Sequence, residues 1–218
     1  MQPAQVASFT KRLSCANCLR PQGACICQWI TQVAHIVEVL ILQHPLEVAN
    51  AKGSARLLHL SLPGSRLVTG EAFDLEVMVK NPKINVLLYP ASPQGSSPGA
   101  SSPTVLSPGS LRKPAELRLI VLDATWSKSR KMLYLNPQLQ CLPRLSLHDV
   151  PASQYLIRKA HDKDQLSTLE ATCAALAQLE GDAEKFQPLL KAFDGFVAQQ
   201  FGWRVHGSTQ ALPRDLSA

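Results

Sequence analysis

The stretch Leu117-Arg-Leu-Ile-Val-Leu-Asp-Ala-Thr-Trp-Ser-Lys-Ser-Arg-Lys-Met132 decides the fold of this chain. Its first six residues are mostly apolar, which predicts a short buried strand followed by Asp123. A helix is expected to begin at Thr125 and Trp126 and to run to about Leu135. In open α/β sheets, ligands bind beyond the carboxyl ends of the strands. The acid and the indole are therefore candidates for a functional site, with helix capping and core packing as the alternatives.

Strands and helices alternate along the rest of the chain. Strands are predicted at 37–42, 66–69, 85–90 and near 145–147, and helices at 43–60, 167–181 and 183–201. The run Ser167-Thr-Leu-Glu170 matches the capping-box pattern, and Gly181 lies where a C-terminal cap belongs. The alternation predicts an α/β fold with a largely parallel sheet flanked by helices.

Composition changes divide the chain into segments. Residues 1–30 contain a polar tail and a cysteine-rich module, residues 31–205 form the main domain, and residues 206–218 are expected to be a disordered tail. A stretch rich in Pro and Ser, 91–114, has no apolar periodicity and is predicted to be a flexible insertion in a surface loop.

The charge balance indicates the class of partner. The 218 residues carry 22 Lys and Arg against 16 Asp and Glu, a net charge of +6, and this surplus favours phosphate-bearing or acidic partners without proving one. Apolar runs fall well short of the roughly 20 residues that a membrane span needs, and no secretory signal is visible. We therefore expect no membrane partner, a cytoplasmic location and no obligate protein partner.

Four of the six cysteines fall within thirteen residues, as Cys15-x2-Cys18-x6-Cys25-x-Cys27. Two closely spaced pairs are typical of a zinc site, and four thiolate ligands leave no open position, so the zinc is expected to be structural. Two disulfides are the alternative, which a cytoplasmic location disfavours. The remaining cysteines, Cys141 and Cys173, are predicted to be small core residues.

At Asp123-Ala-Thr-Trp126 the chain resembles the DTW-domain proteins, the family of tRNA-uridine aminocarboxypropyltransferases. Further blocks follow in the family's order over residues 15–171: the cysteine module, His44-Pro45-x-Glu47 with Arg56-Leu57-Leu58, Leu88-Tyr89-Pro90, and Tyr155-x-Ile157-Arg158 with Leu166-Ser-Thr-Leu-Glu-Ala171. Two features depart from the family pattern. The insertion at 91–114 is longer than such loops usually are, and His161 stands where a proline is expected.

The resemblance implies a SPOUT-like fold with a trefoil knot in its C-terminal half, which pattern alone would not predict because knots are rare. It also implies transfer of the 3-amino-3-carboxypropyl group of S-adenosylmethionine to N3 of a tRNA uridine, with release of methylthioadenosine. The residues expected to bind this donor are Leu88, Tyr89, Pro90, Leu122, Ser167, Thr168 and Leu169. Free amides at the helix start near Ser167 are candidates for the methionine carboxylate, with mutual capping of Ser167 and Glu170 as the alternative.

Three residues are expected to be catalytic. Asp123 is the candidate general base for the uridine imide, or the group that orients it, and burial would raise its pKa above the ordinary value near 4 and so make it a stronger base. Thr125 is expected to cap the following helix, and Trp126 to stack on an unstacked base or to pack under the loop. Phosphate contacts are expected from Lys128, Arg130, Lys131, Arg158 and Lys159, with a solvated helix face as the alternative.

Two other functions fit part of the same pattern. An RNA methyltransferase would use the same donor but transfer its methyl group. A zinc-stabilised RNA-binding module without catalysis would bind tRNA and ignore S-adenosylmethionine.

Overall fold

A computed structural model describes residues 13–79, 81–90, 113–147 and 166–207, with side chains up to residue 200. Its strands are β1 (Glu38–Gln43), β2 (Arg66–Thr69), β3 (Ile84–Leu88), β4 (Leu117–Asp123) and β5 (Arg144–Leu145). They form one sheet in the order β2-β1-β4-β3-β5, and all four pairings are parallel. The predicted α/β fold with a parallel sheet is confirmed.

Helices cover both faces of this sheet. They are α1 (Ala55–Ser61), α2 (Leu75–Met78), α3 (Trp126–Leu135), α4 (Pro137–Gln140), α5 (Thr168–Glu180) and α6 (Gln187–Gly207). Successive strand side chains point to opposite faces, so Val39 and Ile41 pack with α1, α5 and α6, whereas Leu40 and Leu42 pack with α2, α3 and α4. The molecule is therefore a three-layer helix–sheet–helix arrangement.

The structure corrects the helix predicted at 43–60. Gln43 is the last residue of β1, Pro45–Glu47 is a single 3-10 turn, and α1 begins only at Ala55. Asn50 and Gly53 lie between them, and both residue types favour turns over helix interiors. The short helices α2 and α4 were not predicted, and α6 extends to Gly207, two residues into the tail predicted at 206–218.

The helix predicted after Ser167 is confirmed in detail. The Ser167 hydroxyl accepts from the Glu170 amide, and the Glu170 carboxylate accepts from the Ser167 amide, so the two residues form a capping box. Gly181 ends α5 with a φ of 69°, a left-handed conformation that glycine adopts without a Cβ penalty.

β4 lies at the centre of the sheet, between β1 and β3. Gln43 of β1 is the register partner of Asp123, so the ends of these two strands meet. Tyr89 follows the end of β3 at the same edge. The predicted knot stays a prediction, because residues 148–165, which join β5 to α5, lie outside the described residues.

A buried guanidinium lies at the other end of the central strands, where they begin. Arg118 Nε donates to Glu38 Oε1 at 2.6 Å, and Arg118 Nη1 donates to Asn85 Oδ1 at 2.9 Å, which ties the starts of β4, β1 and β3 together. The hydrogen bond from Arg118 holds the pKa of Glu38 below its ordinary value of 4.5. This network positions the central strand whose other end carries Asp123.

The cysteine module, residues 15–30, packs against the last helix. The Trp29 indole donates to Gln199 on α6, and Gln199 donates to the carbonyl of Cys25. Gly195 lies so close to Trp29 that a Cβ there would be 2.1 Å from the ring. Arg20 stacks over Phe196 of α6 and also donates to carbonyls of the loop between β1 and α1. Among the described residues, helices that combine the length and apolar character of a membrane span are absent.

Candidate active site

Asp123 is the centre of a hydrogen-bond network that joins three segments. Its side chain is buried, with 3% of its surface exposed at the end of β4. Gln43 Nε2 donates to Oδ2 at 2.9 Å, and Thr168 Oγ1 donates to Oδ1 at 2.7 Å. Because each oxygen accepts from a different element, the plane of the carboxylate is fixed before any ligand arrives.

His44 anchors the turn that follows β1. Its backbone amide donates to the Asp123 carbonyl at 3.0 Å, and its Nδ1 accepts from the Leu46 amide at 3.1 Å. Since Nδ1 is an acceptor, Nε2 carries the proton and donates to Glu71, 2.7 Å away. Glu71 also binds Lys131, and this hydrogen bond is the main reason why the pKa of Glu71 is lowered.

An aromatic stack borders the same edge. The rings of Tyr89 and Trp126 are parallel within 7°, with centroids 5.2 Å apart. The Tyr89 hydroxyl lies 3.3 Å from Ser129 Oγ on α3, and the Arg144 guanidinium lies over the Tyr89 ring. Trp126 is 55% exposed even though one face is covered, so the indole of this stack is accessible for stacking by a flat ligand. It does not fill the core, which was one alternative.

Thr125 occupies the N-cap position of α3, but its side chain makes no capping hydrogen bond. The prediction that the Thr125 side chain caps this helix is therefore wrong. Its carbonyl accepts from the Ser129 amide as the first bond of the helix, and the side chain is exposed beside Trp126. The hydroxyl can thus reach a ligand at this edge without giving up a bond to the helix.

Two of the three basic residues on α3 are already in ion pairs. Lys128 Nζ lies 2.8 Å from Oε1 of Glu47, and Lys131 lies 2.8 Å from Oε2 of Glu71. Arg130 is exposed. Arg130 and the more exposed Lys131 are consequently better placed for phosphate contacts than Lys128. Arg158 and Lys159 lie outside the described residues.

Three amides at the start of α5 already have hydrogen-bond partners within the protein. The Ser167 amide donates to Glu170, the Glu170 amide to Ser167, and the Leu169 amide to Ser54 Oγ at 3.2 Å. The Leu169 side chain is fully buried. Mutual capping of Ser167 and Glu170 is therefore present, while the donor-binding role of Ser167 and Leu169 stays a prediction. Thr168 is different, since its hydroxyl reaches Asp123.

The other predicted donor-binding residues lie at the ends of β3 and β4. Leu88, Tyr89 and Leu122 are partly buried, and Pro90 is exposed. The Pro90 carbonyl accepts from Arg144 at 3.2 Å. The fold therefore brings these residues to the edge that carries Asp123.

The four clustered cysteines converge on one point. All four Sγ atoms lie within 4.8 Å of one another, with 3.6 Å from Cys15 to Cys27 and 3.8 Å from Cys18 to Cys25. A tetrahedron of sulfurs around zinc, with bonds of about 2.3 Å, has edges of about 3.8 Å, which these distances fit. All are free thiols, so the disulfide alternative is not the state seen here.

The surroundings of the module shift the pKa values of two of its thiols in opposite directions. The amides of Cys18 and Asn17 lower the pKa of Cys15 to about 6. Burial, together with the neighbouring sulfurs, raises the pKa of Cys27 to about 12. Four thiolates at this spacing would need a cation among them to be stable. Of the other two cysteines, Cys173 is buried as predicted, but Cys141 is exposed, which corrects its assignment to the core.

Several residues of this site were not predicted from the sequence. Gln43, Glu71, Ser129 and Arg144 each contact a predicted site residue. Gln43 had a usable signal, because a polar residue at the end of an apolar strand lies where ligands bind. The others follow only from the packing of distant segments.

Comparison with known proteins gives one consistent result. A family model described as the DTW domain matches residues 12–201. A Drosophila melanogaster protein named tRNA-uridine aminocarboxypropyltransferase 2 is 30% identical over 83% of this chain and 72% of its own length. A Macaca fascicularis protein of the same name is 27% identical, over 94% of this chain and 68% of its own. The Arabidopsis thaliana tRNA-uridine aminocarboxypropyltransferase A is 27% identical, over 81% and 76%. No solved structure matches the chain.

Proposed function

The chain belongs to the DTW-domain family, and from this premise we propose that it is a tRNA-uridine aminocarboxypropyltransferase. The structural observation that carries the proposal is a buried carboxylate, Asp123, held by Gln43 and Thr168 beside the exposed ring of Trp126. This arrangement combines a fixed acceptor for a proton with a surface for a flat base.

S-adenosylmethionine is the donor substrate, and it supplies a sulfonium whose neighbouring carbons are electrophilic. In the balanced reaction, uracil N3 forms a bond to the methylene carbon of the aminocarboxypropyl group. The bond from that carbon to sulfur breaks, methylthioadenosine leaves with the electron pair, and the N3 proton is released. The residues at this edge fit such a donor, because they offer an aromatic face and charged groups of both signs.

Asp123 accepts the hydrogen of the uracil imide and so orients N3, and it takes the proton as the new bond forms. Gln43 and Thr168 keep the carboxylate in one orientation, so that little reorganisation is needed during the reaction. Thr125 lies at the same edge and offers a hydroxyl to the substrate.

Trp126 stacks on the unstacked uracil, as aromatic side chains commonly do with single-stranded RNA. Tyr89 supports the indole from its other face, and Ser129 lies within 3.3 Å of the Tyr89 hydroxyl. Leu88, Pro90 and Leu122 border the donor near the ends of β3 and β4. Arg130, Lys131, Arg158 and Lys159 contact tRNA phosphates, consistent with a net charge of +6.

The cysteine module holds a structural zinc ion with Cys15, Cys18, Cys25 and Cys27 as ligands. Its support is the sulfur geometry and the absence of an open ligand position. The proposal also includes the cytoplasm as the compartment, where thiols stay reduced, and a SPOUT-like knot in the C-terminal half.

The test is incubation of the purified protein with unmodified tRNA and S-adenosylmethionine, followed by mass analysis of the nucleosides and of the released co-product. An aminocarboxypropyl adduct on uridine with methylthioadenosine is the expected result. A methyl adduct with S-adenosylhomocysteine would identify a methyltransferase instead. tRNA binding without any consumption of the donor would identify a binding module.

A further inference from the structure

Glu47 is a buried carboxylate that the reaction described above does not use. Only 4% of its side chain is exposed, although it lies in the turn directly after β1. Its Oε1 accepts from Lys128 Nζ at 2.8 Å, and its Oε2 accepts from Asn50 Nδ2 at 2.7 Å. Lys128 is itself only 28% exposed. The pair thus consists of a buried carboxylate and an ammonium group that is largely shielded from water.

Backbone hydrogen bonds connect this pair to Asp123. The Glu47 amide donates to the His44 carbonyl, and the His44 amide donates to the Asp123 carbonyl. Lys128 is on the first turn of α3, five residues after Asp123. Stability is a weak reason for such a pair, because buried ion pairs seldom add net stability over apolar residues. A pair at the edge where ligands bind has a more specific use.

The group that the protein transfers carries one ammonium and one carboxylate on the same carbon. A protein ion pair is the natural complement of such a zwitterion, since each charge meets its opposite and the net charge of the complex is unchanged. Transfer of this group, and not of methyl, requires that its far end be held so that the methylene faces the nucleophile. The amides of Ser167, Leu169 and Glu170 are occupied within the chain, so they are not ready partners for the carboxylate.

We propose that Glu47 and Lys128 bind the amino-acid end of the donor, with Glu47 accepting from its ammonium group and Lys128 donating to its carboxylate. This assignment rests on the proposed function for the identity of the donor. It moves Lys128 from the phosphate contacts predicted from the sequence to the donor site.

The test is a set of calorimetric titrations of the purified protein without RNA. The probes are S-adenosylmethionine, decarboxylated S-adenosylmethionine, and an analogue whose α-amino group is replaced by hydrogen. The unsubstituted protein should prefer S-adenosylmethionine over each analogue by about 10- to 100-fold, the range for hydrogen bonds between charged groups. Lys128→Met should abolish the preference over the decarboxylated probe, and Glu47→Gln should abolish the preference over the deaminated probe.

A preference is a ratio of two affinities within one variant, so a loss of folded protein does not change it. Lys128→Met leaves Glu47 without its ammonium partner, and the double variant Glu47→Gln/Lys128→Gln therefore removes both charges together. It should lose both preferences. Lys113→Met is the matched control, because Lys113 forms an exposed pair with Glu116 before the start of β4. It should keep both.

Two results would overturn the assignment, and they differ from one another. If the Lys128 and Glu47 variants keep both preferences, the pair does not bind the amino-acid end, while the proposed function stands. If the unsubstituted protein binds none of the three probes, the donor itself is wrong, and the proposed function fails together with this assignment.

Discussion

Thr168, the first residue of α5, donates a 2.7 Å hydrogen bond to Oδ1 of Asp123, the last residue of β4. The two residues are 45 positions apart in the chain, and α5 also packs on α1 and β4. The Asp123 carboxylate is therefore oriented by a helix that the core holds in place. Movement of α5 by a fraction of this bond length would change the direction in which the carboxylate accepts.

Thr168→Val should reduce kcat by about 10-fold or more, because it removes a hydrogen bond to a charged group at nearly constant volume. The KM for the donor should change by less than about 3-fold, since the hydroxyl acts on Asp123 in the transition state. Thr168→Ser keeps the hydroxyl and should restore most of the activity. Steady-state kinetics of both variants test this, and an unchanged kcat in Thr168→Val would contradict the orienting role.

Asp123→Asn should reduce kcat by at least about 100-fold, the lower range for loss of a general base. The amide keeps the size of the side chain, and Gln43 can rotate its own amide to accept where it now donates. tRNA affinity, measured by filter binding, should stay within about 3-fold because phosphate contacts dominate it. An Asn variant that retains most of the turnover would show that the carboxylate only orients the uracil.

Trp126→Ala should weaken tRNA binding by about 10-fold, the effect expected from loss of one stacked base. Its effect on thermal stability should be small, since the indole is 55% exposed. Trp126→Phe should recover part of the affinity. Tyr134→Ala is the matched control, because Tyr134 is on the same helix and is 80% exposed. Equal loss of affinity in both alanine variants would contradict a specific stacking role.

Glu38→Gln should destabilise the fold by about 3 kcal/mol at pH 7, the cost of removing one partner of a buried ion pair. Folding lowers the pKa of Glu38, so the contribution is complete above the ordinary value of 4.5 and is lost as the pH falls through the lowered pKa. Urea unfolding of both proteins from pH 7 to pH 3 should therefore give curves that converge in acid. A difference that is constant over this range would show that the charge of Glu38 is not its source.

Zinc removal should make the clustered cysteines reactive. In the loaded protein, a thiol reagent should modify the exposed Cys141 quickly and the ligands slowly, because a coordinated thiolate is protected. A strong chelator should then release one equivalent of zinc per chain and expose the four ligands to the reagent. Cys27→Ser should lower the zinc affinity, and Cys141→Ser should not. Fast reaction of all ligands before chelation would exclude a bound metal.

Features that depend on one short stretch of the chain could be predicted from the sequence. The capping box of α5 and the cysteine cluster each depend on spacing within a few residues, and both were found in the structure. The strand before Asp123 was recognisable from its apolar run. Local physics decides these elements, so local sequence was sufficient.

The partners of the site residues were not predictable in this way. Gln43 meets Asp123 across 80 residues of sequence, and Lys128 meets Glu47 across 81. Such contacts depend on strand order, which the pattern of elements does not specify. Thr125 shows the converse, because a residue type favoured at N-caps occupies that position without making the bond.

The close approach of Gly195 to Trp29 has a consequence for the order of assembly. The cysteines leave the ribosome before α6, since Cys25 and Gln199 are 174 positions apart. Docking of the cysteine module must therefore wait until α6 has been made. Even alanine at position 195 would push the Trp29 indole away and so prevent the module from docking on this helix.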